Sequence, residues 1–123
     1  MTPFSSEVAT VLNQSTIDAA IAFRRARDWE QFHSPQNLAI AIVVESAELL
    51  EHFQWMKEGE QRPVGAQREA FEMEMADIAL LLTYLAGDLG VDLDAAVNRK
   101  LSINESRYPV EKARGSAAKY DAL

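Results

Sequence analysis

Apolar residues recur at helical spacing along the chain in four blocks, and each block has its own start or stop signal. The first follows Ser15, with Asp18 three residues on as a variant capping box. Ile17, Ala20, Ile21 and Phe23 carry its apolar face, and it is predicted to run to near His33. Ser34-Pro35 restarts the chain, Ser as N-cap and Pro at the first helical position. The second helix is expected from 35 to about 57, with Leu38, Ile42, Leu49 and Phe53 among its apolar positions, before Gly59. Residues 58–67 hold Gly59, Pro63 and Gly65 and read as a loop. A third helix should run from about 66 to 89 and close at Gly90; a fourth, capped by Asp92 or Asp94, should end near Arg107, before Pro109. No alternating strand pattern occurs. The expectation is an all-α four-helix bundle, a single domain over 1–123 with its helical core at about 15–108 and an extended tail at 109–123.

The second and third helices are apolar nearly all round, more than a lone small bundle needs. Either a second copy covers the extra face, giving at least a dimer, or the first and fourth helices cover it. Composition fits a soluble globular domain, 48% apolar and 25% charged over 123 residues. No apolar run approaches the roughly 18 residues of a membrane span. Met1-Thr-Pro-Phe lacks a basic start and apolar core, and cysteine is absent. These features lead to the expectation of a cytoplasmic protein with no membrane association. The net charge of −7 and the lack of a basic stripe argue against a nucleic-acid polymer as partner. An anionic small ligand would need a bound cation and a few placed Lys or Arg.

That requirement draws attention to two acid pairs set in apolar surroundings, Glu45-x-x-Glu48 and Glu74-x-x-Asp77. Residues three apart share a helix face, so each pair aims two carboxylates one way. Buried carboxylates are costly unless paired or metal-bound, and few basic residues lie near them in sequence. Oxygen ligands without a zinc-type His/Cys pattern favour Mg²⁺ or Mn²⁺. Such a cation polarises phosphoryl oxygens and activates water. Lys100, Asn104 and Arg107 share one side of the fourth helix. They read either as a phosphate clamp or as a solvated face whose Arg suits the helix C-terminus. Trp29, His33 and Trp55 read either as a base pocket or as core aromatics.

These motifs carry a resemblance. Trp29-Glu30-Gln31-Phe32-His33, Asn37-Leu38, Glu45-Ser-Ala-Glu48-Leu-Leu-Glu51, Phe53-Gln54-Trp55, Glu74-Met-Ala-Asp77 and Lys100-x-x-x-Asn104-x-x-Arg107-Tyr108-Pro109 resemble the MazG-like all-α nucleoside triphosphate pyrophosphohydrolases, in particular their dCTP pyrophosphatase branch. The resemblance implies cleavage of a nucleoside triphosphate between the α and β phosphates, giving the monophosphate and pyrophosphate. It implies Mg²⁺ (or Mn²⁺) at Glu45, Glu48, Glu74 and Asp77, with Glu48 orienting the water. It implies a base side of Trp29, His33, Asn37 and Trp55, and β- and γ-phosphate contacts from Lys100, Asn104 and Arg107. It also implies a homo-oligomer, dimer or tetramer, with shared active sites. His52 is expected at the surface. One departure stands out: Leu81 occupies the place of a Tyr in that pattern, and Tyr84 comes three positions later. The departure bears on base and sugar preference: dCTP or a modified dCTP is the expected substrate, with dUTP or phosphoribosyl-ATP as the alternative. Two other classes compete. A di-iron bundle needs two E-x-x-H motifs, and only Glu30-x-x-His33 exists. A non-catalytic helical interaction module leaves the acid pairs unexplained.

Overall fold

The first helix, α1 (Gln14–Ala26), starts two residues earlier than its capping-box pattern suggests. Asn13, not Ser15, is the N-cap: its Oδ1 accepts from the Thr16 amide at 3.0 Å, and the Ser15 hydroxyl bonds to the same oxygen at 2.8 Å. The helix also stops at Ala26 rather than near His33. Asp28 adopts a left-handed conformation with φ of 52°, which a short polar side chain tolerates. Gln31 Nε2 braces this corner by donating to the Asp28 carbonyl and carboxylate at 3.1 and 3.0 Å. A 3₁₀ turn over Trp29–Phe32 follows. Apolar spacing runs straight through the break, because a one-residue left-handed corner leaves no mark on periodicity.

The computed structural model describes residues 12–123; the reading of Met1-Thr-Pro-Phe lies outside them. Among the described residues there are five α-helices and no strand. Ser34 caps α2 (Pro35–Phe53) by accepting from the Asn37 amide at 3.1 Å. The helix ends four residues short of expectation, where Met56 N–H turns back to the Phe53 carbonyl. The loop that follows contains a 3₁₀ turn at Glu58–Glu60, held by the Glu60 carboxylate on the Lys57 amide. The next helix, α3 (Gly65–Leu89), closes as expected at Gly90, with φ of 68°. Val91 N–H reaches the Ala86 carbonyl at 2.8 Å, a Schellman-type closure in which glycine carries the positive φ. Asp92 caps α4 (Leu93–Arg107) through the Ala95 amide. The tail is not extended throughout. It contains α5 (Val110–Ala113) and a turn at Tyr120–Ala122, and the Arg107 guanidinium sits 4.5 Å over the Tyr120 ring.

Contacts divide the chain into two compact units, Met1–Val91 and Asp92–Leu123. Within the first, α2 packs along α3, and α1 touches α3. Leu38, 1% exposed, forms the core with Ala20 and Tyr84, and Leu80, Leu81 and Leu85 pack around it. Farther along, Phe53 stacks on Phe71 at 4.5 Å. A second face of α2 and α3 stays open: Ile40, Val43, Val44, Leu50, Met73 and Met75 are exposed, Val43 and Leu50 at 68% each. No helix among the described residues is long and apolar enough to cross a membrane.

Candidate active site

Side-by-side packing of α2 and α3 brings the acid pairs together. Glu45, Glu48 and Glu74 each place a carboxylate oxygen within 4.8 Å of the others. The expectation of four inward carboxylates needs correction, however. Glu45 and Glu74 are half-buried, whereas Glu48 and Asp77 are exposed. One member of each pair is half-buried and the other open to solvent, because an i,i+3 step rotates about 60° short of a full turn.

The buried pair is electrostatically unsettled. Glu45 Oε2 and Glu74 Oε2 are shielded from solvent and have no hydrogen-bond partner. Hydrogen bonding to Glu74, then burial, then hydrogen bonding to Glu48, pushes the Glu45 carboxyl up to about 7, as expected when neighbouring carboxyls share a proton. Asp77 adds to this from outside the triad. The set offers hard oxygen donors with two buried atoms lacking partners, which fits a divalent cation such as Mg²⁺ or Mn²⁺. His52 also belongs here, contrary to its expected surface position. It is half-buried, its Nε2 lies 3.6 Å from Glu74 Oε1, and its ring meets Phe71 edge-on at 5.0 Å. Its spacing held the clue: seven residues after Glu45, it returns to the same stripe of α2 two turns on.

A cavity of about 550 Å³ opens beside this cluster, within the usual size range of small-ligand sites. Glu45 and Asp77 line it together with Phe23, Trp29 and His33. Phe23 and Trp29 meet edge-on at 5.6 Å. The left-handed corner at Asp28 is what brings Trp29 and His33 to this wall. Leu81 and Tyr84 both line the cavity, but the Tyr84 hydroxyl donates to the Ala20 carbonyl at 2.8 Å and so does not replace a free phenol at position 81.

Two base-side candidates fall elsewhere. Trp55 is 86% exposed and Asn37 donates through Nδ2 to the Phe32 carbonyl; neither lines the cavity. Lys100, Asn104 and Arg107 lie on α4 in the second unit, Lys100 and Arg107 exposed and Asn104 half-buried.

Sequence reasoning missed one constellation entirely. Arg24, only 6% exposed, forms a two-pronged ion pair with Asp88, both bonds 2.8 Å long. Its guanidinium lies 4.5 Å over the Tyr84 ring and 3.5 Å from His33 Nδ1. The partners are up to 64 positions apart, so no local spacing announces them.

Residues 40–123 match the MazG-like family, and the chain belongs to it. Among curated relatives it is similar to dCTP pyrophosphatase 1 of Homo sapiens, 46% identical over 104 residues, covering 82% of this chain and 61% of that protein. The Bos taurus protein of the same name is likewise 46% identical over 104 residues, covering 82% of this chain and 62% of the relative. The chain thus spans about three-fifths of the length of the curated relatives it matches. A solved pyrophosphatase from Archaeoglobus fulgidus superposes with a TM-score of 0.72 at 38% identity, covering 78% of this chain and 91% of that one.

Proposed function

We propose that the protein hydrolyses a nucleoside triphosphate, with dCTP or a modified dCTP favoured, between the α and β phosphates in a Mg²⁺-dependent reaction. The observation that carries this is the pair of buried, partnerless oxygens on Glu45 and Glu74, beside a cavity that aromatic side chains also line. A cation held by Glu45, Glu48, Glu74 and Asp77 would supply charge neutralisation for the phosphate oxygens. Glu48, exposed at the edge of the cluster, orients the attacking water and accepts its proton. Trp29 offers an aromatic face for the base and His33 a polar edge. Lys100, Asn104 and Arg107 are proposed as β- and γ-phosphate contacts on their spacing and charge. The names of the mammalian relatives support the dCTP preference, and the open apolar face of α2 and α3 supports a homo-oligomer.

A non-catalytic helical module would account for the apolar surface but not for the partnerless carboxylate oxygens. The test is product identity. Protein incubated with Mg²⁺ and a panel of nucleoside triphosphates should release pyrophosphate and the monophosphate, fastest from dCTP. Release of orthophosphate alone, or no release from any triphosphate, would overturn the reading.

A further inference from the structure

The buried Arg24 guanidinium lies beside His33, which lines the cavity, and bears on which atom of that ring is available to a ligand. Arg24 projects from the last turn of α1. Its Nη1 and Nη2 each donate to one oxygen of Asp88 at 2.8 Å, so the guanidinium plane is locked. Packing adds to the lock, since the Tyr84 ring lies beneath it at 4.5 Å and Tyr84 is itself tied to the Ala20 carbonyl. The second hydrogen of Nη1 is left for His33 Nδ1, 3.5 Å away. The His33 ring also tilts against Tyr84, 5.6 Å between centroids.

Chemistry then leaves one arrangement. Arginine has five donors, no acceptor and a permanent charge. His33 Nδ1 can meet it only as an acceptor, with its lone pair free. A neutral imidazole with a bare Nδ1 carries its proton on Nε2. An Nδ1–H ring would set donor against donor, and an imidazolium would set cation against cation. The electrostatics agree: burial first, then Arg24, lowers the His33 pKa, while Asp88 and Glu30 oppose them.

We propose that Arg24, locked on Asp88, is a positioning residue that fixes His33 as the Nε2–H tautomer, so that this wall of the cavity presents a hydrogen-bond donor and selects a nucleobase edge bearing an acceptor. The acceptor class is a carbonyl oxygen or an unprotonated ring nitrogen, as a cytosine offers; an edge offering only N–H at that place would face a donor. The ligand part of this inference rests on the nucleotide reading above, whereas the tautomer does not.

The chain has two histidines, so protein labelled with ¹⁵N-histidine gives two ring systems, and a His33→Phe sample identifies which is which. At pH 8 a two-bond ¹H–¹⁵N correlation spectrum of the unaltered protein should show His33 with an unprotonated Nδ1 and a protonated Nε2. A ring protonated on Nδ1, or an even mixture of tautomers, overturns the proposal. In turnover, Arg24→Gln and His33→Phe should each raise the KM for dCTP about tenfold, the worth of one lost hydrogen bond, with kcat little changed. The double variant should be no worse than either single one, because the residues act as a unit. A raised KM in His33→Phe with none in Arg24→Gln, or additive effects, contradicts the positioning role. Should Arg24→Gln fail to fold, Arg24→Met, which keeps the apolar stem, takes its place in the same measurements, and an unchanged KM for dCTP overturns the positioning role. If the unaltered protein turns over no triphosphate, the functional reading fails while the tautomer result still stands.

Discussion

Arg24 and Glu45 are both ionisable side chains drawn into the same helical unit, Glu45 lining the cavity and Arg24 touching its lining residues Tyr84 and His33, and their circumstances are opposite. Arg24 has Asp88 on two nitrogens and Tyr84 beneath it, with only Nε lacking a partner. Glu45 has Glu74 and Glu48 as neighbours, all of its own sign, and its Oε2 bonds to nothing. A buried ion pair with good geometry holds a fold in register. A cluster of like charges works against the fold unless a ligand of opposite charge completes it. The Arg24–Asp88 pair is therefore architecture, and the acid cluster is where a ligand of opposite charge would act.

The largest expected effect falls on the acid side. Glu48→Ala and Asp77→Ala should each lower pyrophosphate release by about a thousandfold or more. Both residues are exposed, so far-ultraviolet circular dichroism should not change. Turnover within tenfold of the starting protein would remove the acid cluster from the reaction. Next in size is Asp88→Ala, which leaves Arg24 buried without its anion. Denaturant melts should show a loss of roughly 2–4 kcal/mol, toward the low end because Asp88 is partly open to water. No loss would mean that the pair is not the architectural element described.

Removing an acid from the other side should have the reverse sign. Glu45 keeps its proton up to about pH 7 in the fold, against 4.5 for an ordinary glutamic acid. Between those values the folded state binds more protons than the unfolded one, so this residue's contribution to stability falls as pH rises and is fully lost above about 7. In EDTA, Glu45→Gln should gain in Tm on the unaltered protein as pH climbs through that window. A constant Tm difference would contradict the crowding. The smallest effect belongs to Tyr84→Phe, which gives up the bond to Ala20. A cost of about 1 kcal/mol, or a few degrees in Tm, is expected.

The two sides also differ in how much of them the sequence displayed. The acid side was legible because its signal is local: carboxylates at i,i+3 within apolar runs, on helices whose limits Ser34-Pro35 and Gly90 announce. Even there, spacing did not reveal that Glu48 and Asp77 would face outward, since exposure depends on how α2 and α3 lie together. The paired side was not legible. Its contacts join α1, the corner after it and the end of α3, and neither Arg24 nor Asp88 carries any mark of the other. The corner itself rests on one left-handed residue, Asp28, which helical spacing passes over. His52 lay between these cases, with its stripe visible but its nearness to Glu74 dependent on packing.

The central claim is that the unpaired carboxylates await a cation. Calorimetric titration of Mg²⁺ into the EDTA-treated, dialysed protein at pH 8 addresses it directly. A saturable site should appear in the unaltered protein, weaken at least tenfold in Glu45→Gln and Glu74→Gln, and raise Tm by mass action as it fills. Binding that is the same in all three proteins, or absent from all three with and without nucleotide, would contradict the account.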